Sequence, residues 1–537
     1  MIHDLLATAE WDVCIIGGGA TGLGIAVDAA SRGLKTLLVE KYDFAKATSS
    51  RSTKLVHGGV RYLQQGNIKL VMEALKERGI LLKNAPHLVK NQAFIVPNYK
   101  WWEGPFYGIG LKVYDWMAGS LGFGPSQFLS REETLALAPT LDADGLRGGV
   151  LYHDGQFDDA RLAIHLAMTA ADHGATLINY MSVDGLLKSK DKVCGVRLKD
   201  ALMDTSKESI TYDVKAKVVI NATGVFTDSI LKMDDEHSDS LITMSQGIHI
   251  VLDRKFLPSN TAILIPRTDD RRVLFAVPWH DKVIVGTTDT PVKNATAEPT
   301  AMQEEIDFVL HHIQKYLTKD PGYSDIRSVF AGLRPLVRGQ SKTTAALSRD
   351  HHIAISDSEL ITITGGKWTT YRRMAEDVLE IAIHKIGVED TGSAAICKTS
   401  DLPIHGFKND INFDAPRYYY GADEQGIESL IREDRKLAEQ IHPLLPYVKA
   451  EIVWAVQNEM CMCVEDFLSR RTRSLLLDAR SAIASALTVA EIMAAEMNKD
   501  AAWVKNQIDD FNSIAKNYLP ASNLPDGSAG LAMQTTN

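Results

Sequence analysis

The first forty residues constrain the fold most. Asp12-Val-Cys-Ile-Ile16 is a short apolar run that ends in Gly17-Gly18-Gly19-Ala20-Thr21-Gly22. An amphipathic stretch follows, with Leu23, Val27 and Ala30 on one face, and stops at Gly33. A second apolar run, Lys35–Val39, then delivers Glu40, eighteen residues after Gly22. Strand, G-x-G-x-x-G turn, helix, strand and acid is the order of a dinucleotide-binding β-α-β unit. Gly17 makes the tight turn, Gly19 lets backbone approach a pyrophosphate, and Gly22 lets helix and strand pack closely. The helix N-terminus presents N–H groups and partial positive charge to phosphate. Glu40 can accept hydrogen bonds from ribose hydroxyls. The loop by itself leaves NAD and FAD open.

Three later stretches bear on that choice. Ala47-Thr-Ser-Ser-Arg-Ser-Thr-Lys-Leu-Val-His-Gly-Gly-Val-Arg-Tyr-Leu63 is dense in hydroxyls and carries a glycine pair. Its hydroxyls and N–H groups can extend a phosphate cradle towards the reactive ring of a long cofactor. Val218-Val-Ile-Asn-Ala222-Thr223-Gly224 is an apolar strand ending in a small-residue turn. Leu360-Ile-Thr-Ile-Thr-Gly365-Gly366-Lys367-Trp368-Thr369-Thr370 is another strand and glycine turn, opening a helix through Met374, Val378, Ile381 and Ile383. A glycine pair at a helix start lets a flat ligand lie on the backbone. The helix end stabilises negative charge on a reduced flavin.

Together these stretches resemble the FAD-dependent glycerol-3-phosphate dehydrogenase family, over nearly the whole chain from Asp12 to about Leu519. The specific ones are IIGGGATGLGIAVDAASRG, ATSSRSTKLVHGGVRYL, INATG, VGTTD, GLRPL, SRDH and GGKWTTYRRMAEDVL, in that order. EIVWAVQNEMCMCVEDFLSRRTRSLLLDAR is similar to the family's closing helical domain.

The expected fold class is α/β: a FAD-binding, Rossmann-like domain interleaved with a mainly antiparallel-sheet substrate domain, then a C-terminal all-helical domain. Apolar strands alternate with amphipathic helices up to about Val388. Between Met244 and Asp289 the pattern turns to β-type runs, with Asp269–Arg272 as a hairpin turn. The nucleotide-binding parts are placed at about 10–80, 145–243 and 325–390, and the substrate parts at about 81–144 and 244–324. A linker is expected over 396–426, a separate helical domain over 427–520 and a disordered tail over 521–537. Ile452, Val456, Met460, Val464 and Phe467 recur at helical spacing.

Composition narrows the partners. Lys and Arg number 58 against 68 Asp and Glu, a net charge of −10, which lacks the basic field of non-specific nucleic-acid binding. Five cysteines imply no disulfide framework and fit a reducing compartment. No window approaches the roughly 20 apolar residues of a spanning helix. The N-terminal MIHDLLATAEWD has neither the basic start of a signal peptide nor the arginines of a transit peptide. The expected location is cytoplasmic, peripheral on the inner face of a bacterial plasma membrane. Trp101, Trp102, Phe106, Tyr107, Leu111, Val113, Tyr114, Trp116 and Met117, interleaved with Lys100 and Lys112, suit either a core or a membrane interface.

Cofactor contacts are expected from Gly17, Gly19, Ala20, Thr21, Gly22, Glu40 and Lys41 at the first turn. Thr48, Ser49, Ser50, Ser52, Lys54, Leu55, His57 and Gly58 would continue them, with Ala222, Thr223, Gly224, Gly366, Lys367, Trp368 and Thr369. No metal is expected: Asp142-Ala-Asp144-Gly145 would put Leu151 where a calcium loop needs Glu. Cys461 and Cys463, two apart on an expected helix, face different sides.

The resemblance implies oxidation of sn-glycerol 3-phosphate to dihydroxyacetone phosphate, with hydride passing from C2 to flavin N5 and electrons to a membrane quinone. A doubly charged phosphate ester needs cations, and arginine's planar fork suits it. Arg61, Arg334 and Lys367 are the first candidates, with Tyr62 and Arg349 second. His57 and His249 are candidate bases, because imidazole titrates near neutrality; His249 is preferred, since the inserted sheet should face the flavin. Arg61 or Arg334 could hold a developing alkoxide. Arg470, Arg471 and Arg473 read as a solvated, ion-paired helix face. Expected partners are the substrate, quinone and an anionic membrane surface, with a homodimer as candidate assembly. The alternatives are a soluble oxidase returning electrons to oxygen, an amine-oxidising flavoenzyme of the same architecture, and a flavin-bearing nucleic-acid-binding module.

Overall fold

A computed structural model describes residues 2–59, 67–202, 210–270, 272–338, 350–387 and 396–520. The chain builds two sheets and a helical layer. The first sheet has the expected β-α-β start. Trp11–Ile16 pairs in parallel with Thr36–Val39 on one side and Thr211–Asn221 on the other. Thr176–Ile178 extends one edge and Ile361–Gly365 the other, both in parallel. The strand Trp11–Ile16 is buried almost throughout, as a parallel strand covered on both faces must be. Helices Ala20–Ser31, Asp159–Asp172 and Tyr371–Ile386 supply one of those covers. A Cβ at Gly22 would stand 1.9 Å from the Gly17 carbonyl oxygen, so only glycine permits this helix to start so close to the strand.

Among the described residues the second sheet has ten strands and is antiparallel except where Ala262–Ile265 meets Val89–Asn98. Towards one edge runs the long strand Ile242–Asp253, flanked by Lys282–Gly286, Thr290–Val292 and Ser328–Val337. The two-residue period of a strand divides its side chains. Ile248, Ile250 and Leu252 face a core closed by Ile306, Val309, Leu310 and Ile313 of helix Gln303–Gln314. Val251 belongs to the large core shared with the nucleotide-binding sheet. Burying aliphatic chains of this size contributes roughly 1.5–3 kcal/mol each, and this pattern fixes which face carries His249. The expected hairpin strands are present: Ala262–Ile265 and Leu274–Trp279 pair antiparallel.

The structure divides the strands differently from the sequence-based boundaries. Leu55–Val56, Gly148–Phe157 and Ser328–Val337, placed with nucleotide-binding segments, all pair into the second sheet. Strand pairing is decided by partners far along the chain, which local patterning does not show.

Helices Glu424–Glu433, Lys449–Asn458, Ala479–Met497 and Ala501–Ala515 form the C-terminal layer. It is all-helical, as expected, but not separate. Phe467, Leu468, Leu475 and Ala486 share one continuous core with Val13, Leu162 and Phe330. The helical run expected through Met460 and Val464 stops at Asn458, so Cys461 and Cys463 sit in a connection and not on a helix.

Arg470, Arg471 and Arg473 correct the solvated-face reading: all are buried, Arg471 to 1% exposure. Arg471 donates to both carboxylate oxygens of Asp43, at 2.6 and 2.9 Å. Arg470 reaches Asp466 at 2.8 Å and Glu465 at 2.7 Å, and also bonds Asp43. Arg473 donates to the Ser50 carbonyl at 2.9 Å and to Asp159 at 3.1 Å. Their partners Asp43, Ser50 and Asp159 lie hundreds of residues upstream, so nothing local to the basic run signals its burial. Burial opposes ionisation of Asp43, but the guanidinium groups of Arg471 and Arg470 outweigh it and hold the carboxyl at about 2.

Candidate active site

Two cavities open on opposite sides of a shared wall. The first, of about 630 Å³, runs along the strand ends of the nucleotide-binding sheet. Gly17, Gly19, Ala20, Thr21, Glu40, Lys41, Thr48, Ser49, Ala222, Thr223, Gly224, Gly366, Lys367 and Trp368 all line it. Gly22 lies beneath the turn. Helix Ala20–Ser31 starts on Gly19, which has no side chain to cap it, and the N–H of Ala20 donates to Ser49 Oγ at 2.9 Å. Glu40 accepts from the N–H groups of Gly18 at 2.6 Å and Tyr42 at 2.8 Å. Burial raises its carboxyl above the usual range despite those donors. Val183, Ala201, Ile230 and Met233 give the cavity an apolar end near Glu40. A glycine turn at a helix start, an acid at the second strand and a long trough reaching a second glycine turn fit FAD from end to end.

The hydroxyl-rich segment after Ala47 connects this cavity to the second. Thr48 Oγ1 donates to the Leu333 carbonyl at 2.7 Å, and Trp368 Nε1 donates to the Ser49 carbonyl at 2.8 Å. The His57 N–H donates to Thr369 Oγ1 at 3.2 Å. Ser50, Ser52 and Lys54 turn away from the trough. Ser52 Oγ and Lys54 Nζ both bond Asp159, each at 2.7 Å, and Lys54 and Arg473 both donate to the Ser50 carbonyl. Burial, with Arg473 nearby, lowers the Lys54 ammonium to about 7 although Asp159 opposes the shift. Gly58 donates its N–H to Tyr114 Oη at 2.8 Å.

The second cavity measures about 540 Å³. Thr53, Leu55 and His57 line one side; Thr287, Thr288, Asp289, Arg272 and Arg334 form a polar floor. Successive residues of strand Ser328–Val337 point to opposite faces, so Arg334 looks into this cavity and Pro335 into the first. Arg334 donates to Thr287 Oγ1 at 3.0 Å and to the Thr288 carbonyl at 3.1 Å, 3.7 Å from the Asp289 carboxylate. Arg272 donates to the Asp289 carbonyl at 2.9 Å. A Cβ at Gly247 would meet the Arg334 guanidinium at 2.2 Å, so glycine there keeps the fork flat on the sheet.

His249 stands behind this wall, 2% exposed, its ring stacked on Phe330 with centroids 4.9 Å apart. It touches the cavity through Thr53, whose Oγ1 is 3.0 Å from His249 Nε2. Burial, and then the charges of Lys54 and Arg334, push its pKa well below the ordinary imidazole value. His249 is therefore neutral at pH 7, the form that accepts a proton.

The structure brings His57, His249 and Arg334 to the second cavity and places Lys367 on the first. Arg61, Tyr62 and Arg349 lie outside the described residues, as does the tail over 521–537. Sequence reasoning missed Thr53, Arg272, Thr287 and Asp289 as site residues. Thr53 and the VGTTD stretch carry the family resemblance, but nothing local in them signals a place in the pocket. The expected aromatic segment forms helix Glu103–Ala118. Trp102, Phe106, Ile109, Val113 and Trp116 share one exposed face, while Leu111 and Tyr114 are buried opposite. Among the described residues no helix is long and apolar enough to cross a membrane, and no cluster of metal-binding side chains occurs.

Comparison with known proteins adds a second line of observation. Residues 12–372 match the family model described as FAD dependent oxidoreductase, and 363–504 match the C-terminal domain of alpha-glycerophosphate oxidase. The mitochondrial glycerol-3-phosphate dehydrogenase of Macaca fascicularis is 40% identical, over 95% of this chain and 73% of that protein. The corresponding Schizosaccharomyces pombe protein is also 40% identical, over 95% and 87%. A Bacillus halodurans glycerol-3-phosphate dehydrogenase complexed with FAD superposes with a TM-score of 0.78 at 29% identity, over 97% of both chains. The L-alpha-glycerophosphate oxidase of Mycoplasma pneumoniae, at 18% identity and a TM-score of 0.56, shares the fold over 71% of this chain and 96% of its own.

Proposed function

The chain belongs to the FAD-dependent glycerol-3-phosphate dehydrogenase family, and on that premise we propose that it oxidises sn-glycerol 3-phosphate to dihydroxyacetone phosphate and passes the electrons to a membrane quinone. The observation that carries the reading is the shared wall. Arg334 and Pro335, adjacent on one strand, face a cationic cavity and a dinucleotide trough respectively. FAD, when bound in that trough, supplies the acceptor for the hydride that leaves C2.

The chain's own groups do the rest. Arg334 and Arg272 hold the substrate phosphate through charge-assisted hydrogen bonds, and Asp289 keeps both forks oriented. As the C2–H bond breaks and the carbonyl forms, the C2 hydroxyl must lose its proton. His57 lines the cavity directly, and Thr53 offers a hydroxyl backed by neutral His249. The Thr53–His249 pair can take the proton by a two-step relay, which keeps the preferred base while leaving it out of solvent. The buried, apolar surroundings of His249 exclude water from that route.

Peripheral membrane attachment at the cytoplasmic face of a bacterial membrane belongs to the same proposal. The exposed stripe of helix Glu103–Ala118 and the turn before it support it: Trp101 in that turn is 77% and Trp116 82% exposed, with Phe106 and Ile109 between them. Large apolar side chains left in water along one helix face mark an interaction surface. The deciding experiment is turnover of glycerol 3-phosphate by the purified holoenzyme with quinone, dye or oxygen as sole acceptor. Quinone reduction without hydrogen peroxide is expected. Stoichiometric peroxide would make the protein a soluble oxidase, and no flavin reduction by glycerol 3-phosphate would end the reading.

A further inference from the structure

The second cavity is much larger, and much more apolar, than a triose phosphate needs. Its volume, about 540 Å³, falls within the roughly 300–1,000 Å³ of cavities that bury drug-sized ligands. Its charged floor is formed by Arg334, Arg272 and Asp289, and Thr53, His57, Tyr107, Tyr152 and Asp154 add polar groups elsewhere in the lining. The facing walls are Phe94, Val96, Leu111, Leu264, Val273 and Phe275, and these have no polar side-chain atom to offer a glycerol hydroxyl. Phe94 and Phe275 meet edge to face at 6.0 Å, a packed hydrocarbon surface.

The apolar wall also leads outward. Phe106 and Ile109 line the cavity and belong to the exposed stripe of helix Glu103–Ala118, where they are 53% and 65% exposed. One continuous hydrocarbon surface therefore runs from the cationic floor to the protein's exterior. A ligand that matches both ends carries a phosphate monoester at one end and a hydrocarbon chain at the other.

We propose that this cavity admits single-chain acylated glycerol phosphates, 1-acyl-sn-glycerol 3-phosphates, as a second substrate class. The phosphate occupies the Arg334 and Arg272 floor, and the acyl chain lies along Phe94, Phe275 and Ile109. The inference rests on the proposed glycerol 3-phosphate site and extends it. The C2 hydroxyl of such a molecule is free, so the same step balances. The C2 hydrogen leaves as hydride to bound FAD, the hydroxyl proton passes to the histidine side, and 1-acyl-dihydroxyacetone phosphate is formed. The electrons leave by the acceptor that serves glycerol 3-phosphate.

The test uses holoenzyme under anaerobic conditions with 1-hexanoyl-, 1-octanoyl- and 1-decanoyl-sn-glycerol 3-phosphate below their micellar concentrations. Flavin absorbance should bleach, and mass analysis should find the product with its acyl chain intact. Calorimetric titration should show affinity rising by up to about four-fold per methylene, the effect of removing one CH₂ from water. Ile109→Asn, at the cavity mouth, should flatten that chain-length dependence. The proposal is overturned if glycerol 3-phosphate bleaches the flavin and the acylated esters neither bleach nor bind. It is equally overturned if affinity does not depend on chain length, or if dodecyl maltoside, which has no phosphate, competes as well. Failure of glycerol 3-phosphate itself to bleach would instead strike the underlying site.

Discussion

Thr53 Oγ1 and His249 Nε2 stand 3.0 Å apart although 196 residues separate them in the chain. The contact joins a loop of the nucleotide-binding region to the long strand Ile242–Asp253 of the second sheet. It places a hydroxyl in the cavity and a buried, neutral imidazole behind it. A hydroxyl so backed can pass a proton inward, which a lone buried histidine cannot.

Thr53→Val keeps the shape and removes the relay. We expect kcat for flavin reduction to fall by about 10²-fold or more, within the range for loss of general base catalysis, with KM little changed. Stopped-flow bleaching of the flavin measures this directly. An unchanged rate would leave His57 as the proton acceptor.

Arg334→Ala leaves Asp289 without one of its cations on the cavity floor. The expected cost is about 2–5 kcal/mol in kcat/KM, as for truncating one member of a buried charge pair. Arg334→Lys should recover only a fraction of it, since an ammonium cannot offer two parallel donors. Steady-state kinetics on both variants decides it.

Arg471→Ala removes two hydrogen bonds from the buried Asp43 carboxylate and leaves it only Arg470 as a guanidinium partner. Loss of one partner of a buried ion pair costs roughly 3–5 kcal/mol. Denaturant unfolding should show that loss, and FAD should dissociate more readily, because Asp43 lies in the segment following Glu40. A variant with wild-type stability would return Arg471 to a peripheral role.

His405 bonds Asp423 at 3.1 Å and also contacts Asp172. Its hydrogen bond to the Asp423 carboxylate raises the His405 pKa to about 9, burial opposing, and Asp172 adds to the rise. A raised pKa means that the stabilising contribution is complete below about 6.5 and is lost as pH climbs through 9. Half-burial and solvent screening limit it to the order of 1–2 kcal/mol. The melting temperature of the wild type should therefore fall between pH 6.5 and 9 more steeply than that of His405→Gln. Parallel curves would refute the assignment.

Replacing Trp101, Val113 and Trp116 with Ser should abolish sedimentation with anionic vesicles while leaving dye-coupled turnover in solution intact. Retained vesicle binding would move the membrane contact to another face.

The β-α-β start and the glycine turns at Gly17–Gly22 and Gly365–Gly366 were legible because each is a local requirement. A turn needs its glycine and a helix end attracts an anion, whatever lies elsewhere. The sharing of strands between the two sheets was not legible. Gly148–Phe157 has the same apolar pattern in either sheet, and only its pairing with Val89–Asn98 decides. The run Arg470–Arg473 misled for the same reason. Three arginines in four residues look solvated until the fold supplies Asp43, Ser50 and Asp159 to bury them.

By itself, then, the amino-acid order determined the cofactor class and the α/β architecture, since these follow from short-range geometry and chemistry. Tertiary structure alone decided that Thr53 backs onto His249, that the Arg334–Pro335 wall separates a trough from a chamber, and that the chamber's apolar side opens beside a cationic floor. Those relations depend on strand register and on which face of each strand meets which core. A two-residue period turns every side chain over with a shift of one, and no local signal states where that register falls.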